Sequence, residues 1–131
     1  MFPSAKRIPL PTIKMYRGNT YTITFDNLKF NGEDKSVISS GESILFIVKS
    51  IYGTTVLSKT LSDIDGEEIP IRFDLDPEDT LNMFAPFKYK YSVDLYTNNG
   101  ETFFTLQKGD FVLIDGVGTI YDIEENSENG G

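Results

Sequence analysis

Cysteine, histidine and tryptophan are all missing from the 131 residues. Without cysteine the chain can form neither a disulfide framework nor a thiolate metal site. Without histidine it lacks the commonest general base at neutral pH and the commonest zinc ligand. Nucleophilic catalysis would have to use a Ser–Lys pair or an N-terminal threonine, and no motif for either is present. These absences predict a protein that is not an enzyme, with no catalytic, metal or cofactor-binding residues.

Excess positive charge and long apolar runs are also absent. The formal net charge is −8, whereas a surface that follows nucleic-acid phosphates needs clustered Lys and Arg. The longest apolar run, Ile44 to Val48, is far shorter than the ~20 residues of a membrane helix. The N-terminus has no apolar core or cleavage site typical of a signal peptide. We therefore expect a soluble protein with neither a nucleic-acid nor a membrane partner.

What the chain does contain is ten Phe and seven Tyr, mostly in stretches that alternate apolar and polar residues. In the clearest case, Phe87 to Thr97, one face holds Phe87, Tyr89, Tyr91, Val93 and Leu95, and the other holds Lys88, Lys90, Ser92 and Asp94. A period of two in aromatic and β-branched residues is typical of strands with one buried face. About seven strands are predicted: Thr12–Tyr16, Thr20–Asp26, Ile44–Ser50, Thr55–Leu61, Ile69–Leu75, Phe87–Thr97 and Thr102–Ile114.

One short helical turn is predicted before the longest strand. Asp76 suits the N-cap, Pro77 the first helical position, and the acids that follow suit the positive end of the helix dipole. Leu81 and Phe84 are spaced to face the core together, and Ala85-Pro86 stops the helix. Further along, Asn98-Asn99-Gly100 is a hairpin turn, and a bulge or bend is expected at 108–110 (Lys-Gly-Asp).

The pattern predicts an all-β chain, an immunoglobulin-like antiparallel β-sandwich of residues 12–115. Residues 1–11 form an extended proline-rich arm with Pro3, Pro9 and Pro11. This arm either folds back over the edge of its own domain or lies on a neighbouring subunit. Residues 116–131 form an acidic tail rich in Gly, Asn and Glu, with four acids among its last ten residues.

Other candidate sites have simpler explanations. No two of the twenty acids stand out as a glycosidase pair, and 63–68 (DIDGEE) supplies only two of the three donors that a calcium loop places before its glycine. Lys88 and Lys90 lie on the face of the strand opposite the tyrosines. The tyrosines therefore do not form a stacking platform for nucleic acid. Tyr52 and Tyr96, as exposed aromatics, remain open as sugar-binding residues.

Five short motifs together resemble the immunoglobulin-like N-terminal domain of the baseplate upper protein family and related tail and neck proteins of tailed phages and prophages. In chain order they are Arg17-Gly18-Asn19-Thr20, Phe46-Ile47-Val48-Lys49, Pro77-Glu78-Asp79-Thr80, Tyr89-Lys90-Tyr91 and Leu106-Gln107-Lys108-Gly109-Asp110-Phe111. The resemblance covers about four-fifths of the chain, but the long C-terminal part usual in that family is missing.

The resemblance implies a structural component of the virion, made in the bacterial host cytoplasm. We expect a building block of the tail or baseplate that contacts copies of itself and other phage structural proteins, as a homo-oligomer. The alternative is a β-sandwich module that binds carbohydrate or a host surface.

Overall fold

A computed structural model describes residues 11–25, 27–62, 67–97 and 100–115. Several predicted features lie outside these residues: the arm up to residue 10, the tail 116–131, the start of the calcium-like loop at 63–66, and the first two residues of the turn at 98–100. Asp26, the last residue of the predicted strand Thr20–Asp26, also lies outside them.

The described chain is mostly β, which confirms the all-β prediction, with a single short helix. Seven of its eleven strands have four or more residues. The strands are β1 (Thr12–Tyr16), β2 (Tyr21–Thr24), β3 (Lys29–Phe30), β4 (Glu33–Asp34), β5 (Val37–Ile38), β6 (Ser43–Lys49), β7 (Thr55–Ser62), β8 (Ile69–Pro70), β9 (Arg72–Leu75), β10 (Phe87–Thr97) and β11 (Thr102–Ile114), and the helix is α1 (Pro77–Leu81).

The largest sheet has five strands in the order β1-β11-β10-β6-β7. Strands β6, β7, β10 and β11 pair antiparallel, as expected for hairpin-connected strands. Strand β1 instead runs parallel to β11, from Thr12 beside Asp110 to Tyr16 beside Ile114. A parallel pair requires a long crossover between its strands, and here nearly the whole domain lies between them. The predicted antiparallel arrangement therefore does not extend to this edge.

The core lies between the inner face of this sheet and the antiparallel pair β2–β9. Phe46 is at its centre, with its ring centroid 5.6 Å from those of Tyr91 and Phe73 and 6.4 Å from that of Phe111. These four side chains are at most 4% exposed. The predicted burial of Tyr89 and Tyr91 is confirmed, since they are 2% and 3% exposed. Aromatic burial of this kind is the main force that holds the layers together.

The helix α1 begins as the sequence predicts, with Asp76 at the N-cap. The Asp79 carboxylate accepts a hydrogen bond of 2.7 Å from the Asp76 backbone N–H. On its inner side the buried Thr80 hydroxyl accepts a 2.8 Å bond from the Gly18 N–H, which joins the helix to the turn after β1. No helix in the described part of the chain is long and apolar enough to cross a membrane.

Two local predictions are wrong. Phe84 does not face the core: it is 78% exposed, and Met83 is buried in its place. The strand β11 is not interrupted at 108–110, where each residue is paired with β10; the register shift lies between Val93 and Asp94, and Leu106 is the unpaired residue opposite it. Gly109 is needed for close packing, because a Cβ there would overlap the Pro11 carbonyl oxygen and lie 2.6 Å from Cε1 of Tyr91.

Candidate functional site

An apolar groove lies where the β6–β7 turn meets the helix α1 and the start of β10. Its volume is about 520 Å³, within the range of small-ligand and peptide sites. The lining side chains are mostly apolar, with polar groups at the edges: Ser50, Tyr52, Thr54, Val56, Glu78, Asp79, Asn82, Met83, Phe84, Phe87 and Tyr89. We call this the aromatic groove.

The wall of the aromatic groove is held by the Tyr89 hydroxyl. This hydroxyl accepts a 2.8 Å hydrogen bond from the Phe84 N–H and donates one of 3.1 Å to the Phe84 carbonyl oxygen. Tyr89 is itself buried, and its ring centroid lies 4.7 Å from that of Phe87. Because both backbone groups of Phe84 are engaged, its side chain is directed away from the core.

The turn between β6 and β7 also lines the groove. The Ser50 hydroxyl accepts hydrogen bonds from the N–H groups of Tyr52 and Thr54, at 3.2 and 3.3 Å. Gly53 has a φ of +84°, which a side-chain-bearing residue rarely adopts. The turn therefore presents Tyr52 outward, at 86% exposure. Tyr52 and Phe84 are two of the largest uncovered apolar side chains of the described protein, and both line this groove.

The charge of the groove is negative. The Asp79 carboxylate already has partners within the protein: its Oδ2 atom lies 2.8 Å from the ammonium nitrogen of Lys59 and accepts the hydrogen bond that caps the helix. Glu78 is exposed and forms no ion pair with any described residue. No lysine or arginine is among the described residues that line the groove. The site therefore combines uncovered aromatic surface with a carboxylate available to a cation.

The other predicted candidates do not join this site. Tyr96 packs against Phe103, with centroids 5.1 Å apart, on the last paired residues of β10. Lys88 and Lys90 lie on the outer face of the sheet, where both form ion pairs with Asp110. Their ammonium groups hold the pKa of the Asp110 carboxyl below its usual range, although burial opposes this shift. Among the described residues no three acids lie close enough to hold a metal ion.

A second titratable cluster supports the turn before β6. The Glu42 carboxylate accepts hydrogen bonds from Lys35 Nζ at 2.7 and 2.9 Å and from the N–H and hydroxyl of Ser39. Burial alone would raise the pKa of Glu42, but these donors together lower it. The cluster is partly buried, and its hydrogen bonds hold Lys35 and Ser39 to Glu42, so it stabilises the fold.

Sequence reasoning named Tyr52 as a candidate and missed its partner, Phe84. The spacing of Leu81 and Phe84 predicts a shared core face only if the helix continues, and α1 ends at Leu81. Pro86 ends the predicted helix at residue 85, four residues too late, so it does not locate the end of α1 at Leu81.

A scan against protein-family models, a search of curated proteins and a search of solved structures each found no match to this chain.

Proposed function

We propose that this protein is a non-enzymatic structural component of a tailed-phage or prophage virion, in the tail or baseplate. It acts there as an assembly building block that contacts copies of itself and other phage structural proteins. The observation that carries the proposal is the aromatic groove, where Tyr52 and Phe84 leave large apolar surfaces uncovered. Aromatic side chains around a pocket are the residues that most often dominate protein–protein binding energy. The order of the five motifs supports the virion setting.

An immunoglobulin-like sandwich is part of the proposal. Two features support it: the contact of Phe73 on β9 with Phe46 on the five-stranded sheet, with ring centroids 5.6 Å apart, and the bond from the Tyr89 hydroxyl to the backbone five residues upstream. A tyrosine of this kind, near the start of a strand, is a hallmark of such sandwiches. A rigid sandwich suits a part that is repeated around a tail axis.

Two measurements test this function. Particles released by the host bacterium are purified, and their proteins are identified by mass spectrometry. In parallel, the mass of the purified chain in solution is measured by light scattering over a range of concentrations. We expect the chain in the particles and a mass that increases with concentration. A strictly monomeric chain that is absent from every particle would refute the proposal.

A carbohydrate-binding module is the second candidate, favoured by the same two rim aromatics. A sugar ring could stack on Tyr52 or Phe84 while Glu78 and Asn82 accept or donate hydrogen bonds to its hydroxyls. A glycan array tests it, with Y52A as the comparison. Binding to a glycan that Y52A abolishes would support this candidate, and an array without hits would remove its basis.

A further inference from the structure

We propose that the aromatic groove of one copy receives the N-terminal arm, residues 1–11, of a second copy. This inference rests on the proposed function, because it names the contact through which the building blocks join. Three observations carry it: the chemistry of the arm, the charge of the groove, and the position of β1 in the sheet.

The arm has the composition of a groove ligand. Proline-rich segments are already restricted to an extended conformation, so they lose little entropy when they dock, and the grooves that receive them are lined by aromatic rings. The arm has three prolines within eleven residues. Beside them stand three large apolar side chains that gain free energy from burial: Phe2, Ile8 and Leu10.

Charge complementarity favours the same pairing. The first 25 residues contain no Asp or Glu, although the whole chain has twenty. Within the arm the charged side chains are Lys6 and Arg7. The groove offers Glu78, which has no ion-pair partner among the described residues, and the exposed rings of Tyr52 and Phe84, over which a guanidinium can stack. An acidic segment such as the tail would be repelled from this groove.

The position of β1 indicates that the arm comes from another copy. Strand β1 starts at Thr12, paired with Asp110, and runs toward the end of the sheet where Phe87 pairs with Leu113. Phe87 lines the groove, so the groove lies at the end toward which β1 runs. Thr12, where the arm joins β1, is therefore at the opposite end of the strand, and an arm that filled the groove of its own chain would have to reverse its direction to reach it. β1 and β7 are also opposite edges of the sheet, four strand spacings or about 19 Å apart.

The contact would be heterologous, because the arm and the groove are different surfaces of the chain. Heterologous contacts repeat from copy to copy and produce closed rings or open filaments. Rings are the geometry that a part repeated around a tail axis requires. One contact of this kind per copy is enough for assembly.

The first experiment separates arm from groove in two full-length variants. The arm variant is F2A/I8A/L10A, and the groove variant is Y52A/F84A, whose rim side chains are too exposed to be needed for folding. We expect each variant alone to self-associate at least about tenfold more weakly than the natural chain, a loss of about 1.4 kcal/mol, because each lacks large apolar side chains that the contact would bury. Mixed together, the two variants should form a heterodimer, because one retains a groove and the other an arm. Light scattering and sedimentation measure both results.

A synthetic peptide of residues 1–11, labelled with fluorescein, tests the groove directly. We expect the peptide to bind the full-length arm variant, and to bind it more weakly in high salt. When the Y52A and F84A substitutions are combined with the arm substitutions in one chain, binding should be at least about tenfold weaker. The matched control is F103A, which removes an aromatic of 53% exposure that does not line the groove. It should leave peptide binding unchanged.

Several outcomes would overturn the inference. One is self-association of either variant alone that is as strong as that of the natural chain. A second is a mixture that forms no heterodimer, which would place each arm on its own chain. A third is peptide binding that Y52A/F84A does not weaken. A glycan that occupies the groove when the peptide does not would also overturn it. None of these outcomes bears on the presence of the chain in virions, so the proposed function would still stand on its own measurement.

Discussion

Replacement of Gly109 by alanine is the sharpest test of how β1 is attached to the sheet. Gly109 pairs with Tyr91 across β10 and β11, and the N–H of the next residue, Asp110, donates a 2.9 Å bond to the Pro11 carbonyl oxygen. An alanine Cβ would overlap that carbonyl oxygen and lie 2.6 and 2.8 Å from two atoms of the Tyr91 ring. Neither neighbour can move freely: one is backbone, and the other is a buried ring whose hydroxyl accepts a 2.7 Å bond from Gln107 Nε2.

The magnitude follows from two opposing terms. Overpacking costs about 1–3 kcal/mol, and two tight contacts of this kind place the cost near the upper limit, about 3 kcal/mol. Alanine also reduces the entropy of the unfolded chain, which returns about 0.4–1 kcal/mol. The free energy of unfolding should therefore fall by about 2 kcal/mol, equivalent to a midpoint lower by about 1 M in urea.

Urea unfolding followed by far-ultraviolet circular dichroism measures this change. The control is K108A, which alters an exposed neighbour and should leave the midpoint unchanged. In a Y91L background the penalty of G109A should be smaller by about 1 kcal/mol, because part of the overlap is gone. A loss below about 0.5 kcal/mol for G109A, or an equal penalty in both backgrounds, would refute the packing argument.

Three further predictions concern single polar contacts. E42Q should lower the free energy of unfolding by about 2 kcal/mol at neutral pH. The pKa of Glu42 in the folded protein lies below its ordinary 4.5. The difference in stability between E42Q and the natural chain should therefore persist above pH 4.5 and disappear as the pH falls through the folded pKa. T80V leaves the Gly18 N–H without its acceptor and should cost about 1–3 kcal/mol in a thermal melt. Y89F removes both bonds to the Phe84 backbone and should cost about 1–2 kcal/mol while weakening binding of the arm peptide.

Each of these has its own control. The stability of E42Q is compared with the natural chain from pH 7 to pH 3, and a constant difference would contradict the linkage. T80S keeps the hydroxyl and should be near natural stability, so equal losses for T80S and T80V would show that the bond to the turn is unimportant. Y16F removes the hydroxyl of a tyrosine that is 51% exposed and serves as the control for Y89F. If Y89F lowers stability no more than Y16F does, the Tyr89 hydroxyl does not hold the groove wall as described.

The sequence predicted most of the secondary structure because its signals are local. Alternation in β10 and β11 sets their bounds at Phe87–Thr97 and Thr102–Ile114, and the Asp76–Asp79 pattern starts the helix where the structure has it. The burial of the β10 tyrosines follows from the same period of two. The candidate site was only partly predictable, because Tyr52 stands in a recognisable turn whereas Phe84 takes its position from a hydroxyl bond to its backbone.

By itself, the sequence determined the all-β class, the bounds of the longest strands and the acid-capped helix, since each depends on neighbours a few residues apart. Only the tertiary structure decided the parallel pairing of β1 with β11, the packing role of Gly109 and the aromatic groove. All three bring together residues far apart in the chain: 98 positions separate Thr12 from Asp110. Contacts at that separation depend on the layers having already packed, and no local pattern encodes them.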